Sequence, residues 1–326
     1  MVYSLAEKIL LRIYFQMKRI RLVEEEIALR YPEGKMRCPT HLSIGQEITP
    51  AICSLFFEET DYCVSTHRGH AHFLAKGGSL NAMIAELYGK STGCSMGKGG
   101  SMHLADRAVN FMGTSAIVGN SIPVGVGLGL AAQLASKDQI SCVFLGDGAV
   151  EEGVFYESLN FASVRQLPVV FICENNQYSV YSNLAVRQPL DRKISELAAT
   201  IGVPAKASLG YDIEHAYEVI EQAFRRARCF SEPQFVEIST YRWLEHCGPY
   251  TDNHLSYRDE AEYREWKERD PLDRLEKDLV SYSVNSEERL KQVRKEIYAE
   301  VMKAFELAES AAEPEASSAF IGVYAE

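Results

Sequence analysis

The sequence predicts an α/β fold: a mostly parallel sheet flanked by helices, with helical extensions at both ends. Short apolar runs stop abruptly at glycine or asparagine, as strands buried on both faces do. Segments with apolar residues at helical spacing lie between those runs, so the crossovers are helical and neighbouring strands run parallel. With 326 residues and 46% hydrophobic content, the chain can bury a large core. The organisation expected is one domain over residues 1–310 and a linker-like tail over 311–326.

Residues 3–30 read as one long amphipathic helix, with Leu10, Ile13, Tyr14, Met17, Ile20 and Ile27 on one face and Glu24-Glu25-Glu26 near its end. Its expected role is packing. Gly119 to Ala135 interleaves Ile122, Val124, Val126, Leu128, Leu130 and Leu134 with Gly125, Gly127 and Gly129. That composition predicts a deeply buried helix that other backbones approach closely, with Pro123 in its first turn. Gly125-Val126-Gly127-Leu128-Gly129 lacks the spacing, preceding strand and later acidic residue of a dinucleotide fingerprint, so nicotinamide binding is not expected.

The apolar run Ile140–Leu145 predicts a buried strand ending at Gly146. From Glu151 to Arg165, Val154, Phe155, Leu159 and Ala162 recur at helical spacing, with two glutamates expected in the first turn, where the helix dipole favours them. The run Leu167–Cys173 predicts the next strand, ending at Glu174-Asn175-Asn176. From Arg258 to about Glu309 the chain turns highly charged. There Trp266, Leu272, Leu275 and Leu279, then Val293, Ile297, Val301 and Phe305, keep helical spacing, and peripheral helices are expected. Residues 311–318 read as linker, leading to an apolar end with Phe320, Ile321, Val323 and Tyr324 that is expected to dock on something.

The chemistry concentrates at two strand ends. Gly146-Asp147-Gly148 is followed, after 26 intervening residues, by Asn175-Asn176. A right-handed crossover makes the two strands parallel neighbours, roughly 4.8 Å apart. Asp147 and Asn176 then emerge side by side, where their oxygens can share one cation at about 2.1 Å, magnesium with a phosphate ligand fitting best. Ligands of open α/β sheets bind outside the carboxyl ends of strands, and Gly148 lets phosphate oxygens approach the backbone at the helix start. Either piece alone would be a tight turn or a solvated loop; the spacing of the two together carries the site.

Arg68, in His67-Arg68-Gly69-His70, is a candidate diphosphate contact because its guanidinium fork matches paired phosphate oxygens. His67, His70 and His72 invite a zinc reading, but they lack accompanying cysteines or a second ligand cluster, so zinc is not expected from them.

A net charge of −11 and a pI near 5.3 disfavour nucleic acid or an anionic membrane as main partner. None of the eight cysteines has metal or redox spacing. The first residues do not read as a targeting sequence and no segment approaches transmembrane length, so a reducing cytoplasm is the expected location.

With these pieces in order, residues 146–178 resemble the thiamine diphosphate motif. From about residue 8 to residue 270 the chain resembles the alpha subunit of 2-oxo acid dehydrogenases of the pyruvate and acetoin type. Thr40–Glu47, His67–His70, Gly97–His103 and Ile117-Val118-Gly119 support the same likeness. The resemblance implies thiamine diphosphate and Mg2+ as cofactors, with Asp147, Asn176 and the carbonyl of Tyr178 as metal ligands. It places Arg68, His67, Gly146, Asp147, Gly148, Ala149, Asn176, Tyr178 and His246 around the diphosphate, and Ala116 and Val118 against the aminopyrimidine.

Tyr241–Asp252 resembles the family's active-site loop, which makes His246 a catalytic candidate, and His70 is expected to help shape the funnel. Two departures stand out: His67 replaces a common tyrosine, and Cys247 replaces the serine of phosphorylation-regulated relatives. The glutamate that activates the cofactor belongs to a second, pyrimidine-binding domain absent from this chain. The resemblance therefore implies a separate beta subunit, two alpha plus two beta chains, and a lipoyl acyltransferase that takes the acyl group. Pyruvate leads as substrate, with acetoin or a branched-chain 2-oxo acid next. A transketolase-like transferase and a non-catalytic assembly subunit are the rivals.

Overall fold

The computed structural model describes residues 3–282 and 286–321. A six-stranded parallel sheet forms its centre, from β1 (Tyr62–Ser65), β2 (Phe111–Thr114), β3 (Ser141–Gly146), β4 (Val169–Asn175), β7 (Ala205–Leu209) and β8 (Gln234–Ser239), in the order β2-β1-β3-β4-β8-β7. A small antiparallel ribbon, β5 (Tyr178–Ser179) with β6 (Ser182–Asn183), follows β4. The predicted α/β class with helices on both faces is what the chain adopts.

Side-chain alternation divides the core in two. Cys142, Phe144, Val170 and Ile172 face the larger core, shared with α1 (Glu7–Arg30), α2 (Ile48–Cys53), α3 (His70–Ala75), α4 (Leu80–Leu87) and α9 (Ile213–Phe230). Val143, Leu145, Val169, Phe171 and Cys173 face the smaller core with α5 (Ser121–Leu134), α6 (Gly153–Arg165) and α8 (Ile194–Ile201). A short helix, α7 (Leu184–Arg187), closes the loop after the ribbon.

Four expectations change in detail. The N-terminal helix begins at Glu7, not residue 3, and its buried stripe includes Arg21 and Glu24 beside the predicted apolar residues. Glu151 lies in a 3-10 turn over Asp147–Glu151 and Glu152 is the N-cap of α6, so both glutamates precede the helix instead of filling its first turn. Helix α5 is buried on one face only: Ile122, Gly125, Val126 and Gly129 are inside, whereas Val124 and Leu134 are exposed. Gly125 is required there, because a Cβ would sit 2.1 Å from Val143 Cγ2.

The helices expected at the periphery, α10 (Glu260–Glu268), α11 (Pro271–Tyr282) and α12 (Ser286–Ser310), differ in burial. Leu272, Leu275 and Leu279 from α11, with Ile297, Val301 and Phe305 from α12, belong to the larger core, packed against α1 and α4. High charge gave these helices a solvated face without removing the buried one.

After α12 the tail runs beside the 90–98 loop, where Ser91 N donates to Ala312 O at 3.0 Å and Lys98 Nζ to Ile321 O at 2.8 Å. Phe320 and Ile321 remain exposed; Val323 and Tyr324 lie outside the described residues. Among the described residues no helix is long and apolar enough to cross a membrane.

Candidate active site

Strands β3 and β4 end level, with Gly146 in register with Glu174, so the two segments singled out from the sequence leave the sheet side by side. Parallel pairing forces this, since both strands present their carboxyl ends to the same edge. A cleft of about 120 Å³ opens there, lined among others by Gln46, His67, Arg68, Val118, Gly146, Asp147, Gly148, Ala149, Asn176, Tyr178 and His246. Ala116 is not among its lining residues, nor is His70.

Asp147 is buried, and its carboxylate pairs with Arg187 of α7, which also holds Glu151. Burial raises the acid's pKa, and the Arg187 charge pulls it back in part. Asn176 is buried too: its Nδ2 donates to Gln46 Oε1 at 2.9 Å, and its Oδ1 accepts from Tyr178 N at 3.1 Å. Asn175 repeats the second turn, its Oδ1 accepting from Gln177 N, but its Nδ2 is spent on Glu237 of β8. Only Asn176 of the pair lines the cleft.

The ribbon beyond these asparagines is strained. Gln177 and Val180, on either side of Tyr178–Ser179, take φ of 68° and 53°; for a β-branched residue such as Val180 that is a costly backbone, of order 1–3 kcal/mol. The Val180 carbonyl accepts from Arg242 Nη2 at 2.8 Å, which holds the strained turn against the loop bearing His246.

Arg68 is anchored by carbonyls: Nη1 donates to Leu42 O at 2.6 Å and Nη2 to His246 O at 3.1 Å. Burial, and then the Arg242 charge, lower its pKa to about 10, so it stays cationic at neutral pH. The His246 loop is fixed against residues 40–44, with Trp243 N on Ile44 O at 3.0 Å and Gly248 N on Thr40 O at 2.8 Å. Gly45 closes this seam at φ 98°, where a Cβ would lie 2.3 Å from Tyr241 O. Below it, Arg242 and Arg258 share the buried Asp252 carboxylate.

The histidines of 67–72 diverge. His70 is fully buried, its Nδ1 3.2 Å from Glu24 Oε2 and its Nε2 2.8 Å from Ser101 Oγ, and it is not among the cleft-lining residues. His72 stacks on Phe144 at 3.8 Å and meets Ser65 Oγ at 2.7 Å and Glu174 Oε2 at 3.2 Å. His67 and His72 both line the cleft, and the His67 ring joins those of His41 and His246. Burial first, then the Arg68 charge, holds these three rings well below their usual pKa, at about 2 for His41, 4 for His67 and 3 for His246. All three are neutral near pH 7.

The glycine-rich segment 97–103 has a different job from the cleft. The Glu86 carboxylate accepts backbone N–H groups from Ser95, Gly97, Gly99 and Gly100 at 2.7–3.0 Å, so this loop wraps an internal anion. Sequence reasoning missed Arg187, Gln46 and His41 as site residues. Arg187 offers no pattern, but Gln46 and His41 lay inside the Thr40–Glu47 segment, and polar residues in a short buried loop are a usable signal.

The donor set of Asp147 and Asn176 is all oxygen, which suits a hard cation such as Mg2+ rather than zinc. A second cavity, of about 940 Å³ and lined by residues such as Lys35, Arg37, Lys90, Lys98 and Glu309, is larger but contains neither strand ends nor this donor set.

Comparison with known proteins adds an independent line. Residues 15–317 match the family described as dehydrogenase E1 component. The chain is 34% identical to the pyruvate dehydrogenase E1 component subunit alpha of Rickettsia bellii over 94% of its own length and 92% of that protein's. It is 34% identical to the chloroplastic subunit alpha-3 of Arabidopsis thaliana pyruvate dehydrogenase E1, over 97% and 74%. With the alpha subunit of the acetoin:2,6-dichlorophenolindophenol oxidoreductase of Bacillus subtilis the identity is 32%, over 98% and 95%.

Proposed function

The chain belongs to the dehydrogenase E1 component family, and on that premise we propose that it is the alpha subunit of a thiamine diphosphate-dependent 2-oxo acid dehydrogenase, acting on pyruvate. The observation that carries the reading is the pairing of Asp147 and Asn176 at the level ends of β3 and β4, with Arg68 across the same cleft.

In this reading Asp147, Asn176 and the Tyr178 carbonyl hold Mg2+, and Arg68, His67 and the backbone of Gly146, Gly148 and Ala149 receive the diphosphate. Gln46 fixes the Asn176 carboxamide, which leaves one amide oxygen to serve the ion. Arg187 occupies the Asp147 carboxylate and must yield or share it when the ion arrives. When bound, thiamine diphosphate supplies the electron sink that decarboxylation of a 2-oxo acid requires. His246, neutral at the cleft mouth, serves as a hydrogen-bonding partner to substrate or diphosphate instead of a fixed charge. In this reading Val118, which lines the cleft, and Ala116 would meet the aminopyrimidine.

The cleft, at about 120 Å³, is well short of the roughly 300–1,000 Å³ typical of pockets that enclose a whole small ligand. It has room for the metal and diphosphate end, which supports a beta subunit providing the other wall and the activating glutamate. The proposed assembly has two alpha and two beta chains and passes the acyl group to a lipoyl acyltransferase. Residues 1–310 act as one domain and the cytoplasm is the proposed location.

Acetoin is the second reading, because the acetoin-oxidising relative aligns over more of both chains than the pyruvate relatives at nearly equal identity. The test is reduction of an artificial electron acceptor by the chain assembled with its beta subunit, thiamine diphosphate and Mg2+, with pyruvate, branched-chain 2-oxo acids and acetoin in parallel. Turnover of pyruvate alone supports the first reading, and turnover of acetoin alone supports the second. A folded, cofactor-bound assembly inactive on all of them refutes both and favours a transferase or assembly role.

A further inference from the structure

We propose that His41, His67 and His246 form a binding site for a divalent transition ion of the zinc class at the cleft mouth, distinct from the oxygen-lined position at Asp147 and Asn176. The three residues come from three separate segments, so their convergence is tertiary. Their ring centroids lie 4.6, 4.9 and 5.4 Å apart. One nitrogen from each lies within 4.8 Å of the others. Tetrahedral zinc, with Zn–N near 2.0 Å, needs those nitrogens roughly 3.3 Å apart, a closure that side-chain rotation can supply.

A second observation points the same way. His41 is only 7% exposed, yet its Nδ1 has no hydrogen-bond partner among the described residues. A buried ring nitrogen left unpaired carries a desolvation penalty unless something satisfies it. Zinc prefers neutral imidazole, and three imidazoles with one open position is a familiar catalytic-type donor set.

Arg68 works against a bare cation, since its Nη2 is 3.4 Å from His246 Nδ1. The open coordination position therefore takes an anion, hydroxide or inorganic phosphate, which faces the guanidinium and offsets both charges. Because His67, Arg68 and His246 also line the cleft, a bound ion would exclude the diphosphate; this last clause rests on the proposed function, whereas the ion site does not.

The probe is Co2+ titrated into the full-length protein, assembled and stripped of cofactor. The expected result is one equivalent bound with the intense visible absorption of four-coordinate cobalt, lost in His41→Gln and His67→Tyr and retained when the exposed His103, His215 and His254 are replaced. A weak octahedral spectrum, or one unaffected by the first two substitutions, overturns the site. Zinc-edge X-ray absorption on the unmodified protein gives a reading independent of how the variants fold: three imidazoles support the site, and fewer overturn it. Displacement of cobalt by excess thiamine diphosphate supports the overlap. Cobalt held by the three histidines but not displaced keeps the ion site and overturns the overlap alone.

Discussion

Replacing Arg21 with methionine should destabilise the protein and loosen the cleft at the same time. Arg21 is 6% exposed and bridges two carboxylates, Glu47 at 0% and Asp270 at 1%. Removing a guanidinium from a buried cluster leaves uncompensated charge, at a cost of about 3–5 kcal/mol. Here each carboxylate keeps one backbone donor, Gly45 N at 3.0 Å for Glu47 and Leu272 N at 2.9 Å for Asp270. That places the loss near the lower end, about 3 kcal/mol.

Glu47 precedes α2 and ends the segment that carries Leu42 O to Arg68 and Gln46 to Asn176. Arg21→Met should therefore also weaken metal-dependent cofactor binding, although Arg21 does not line the cleft. Urea unfolding followed by circular dichroism measures the first effect and cofactor titration the second. A triple variant, Arg21→Met with Glu47→Gln and Asp270→Asn, should be less damaged in stability than the single one, because no charge is stranded. A single-variant loss below about 1 kcal/mol, the range of an exposed ion pair, or a triple variant worse than the single one, would refute the reasoning.

Gln46→Leu frees the Asn176 carboxamide and should raise the cofactor dissociation constant in the presence of Mg2+ by about 10–100-fold, as loss of an orienting partner does at metal sites, with little change in melting temperature. Gly125→Ala should cost about 1–3 kcal/mol from overpacking against Val143, more than the helix-propensity gain of about 1 kcal/mol, and Val143→Ala in the same chain should recover part of it in thermal melts. Burial would raise the Glu276 carboxyl, but the hydrogen bond and charge of Lys18, with Tyr14 and Arg294, hold it below its ordinary value of 4.5. Its contribution is present above pH 4.5 and is lost as pH falls through the lower folded value, so Glu276→Gln should flatten the acid limb of a stability-against-pH curve below 4.5.

The strands β3 and β4 and their polar ends were legible because a strand buried on both faces leaves a continuous apolar run, and chain reversal at a strand's end demands glycine or a polar residue. The candidate active-site loop was legible only by resemblance, since Tyr241–Asp252 has no periodicity of its own. Helix α5 was misjudged because an apolar residue in a sequence says that burial is favourable, not that this chain provides it: Val124 and Leu134 are exposed here. The histidines of 67–72 could not be sorted for a related reason, since neighbours two to five residues apart across a strand-to-helix turn point in different directions.

What the sequence determined by itself is local: where each strand ends, which helices cross over, and that Asp147 and Asn176 stand at adjacent strand ends, because parallel pairing with a right-handed crossover leaves one arrangement. Tertiary structure alone decided which side chains meet across the seams. It brought Arg187 to Asp147, Gln46 to Asn176, Arg21 to Glu47 and Asp270, and His41 to His67 and His246. Those partners lie tens to hundreds of residues apart, and their pairing depends on how helices pack on the sheet, a property of volume and burial that no short window of residues contains.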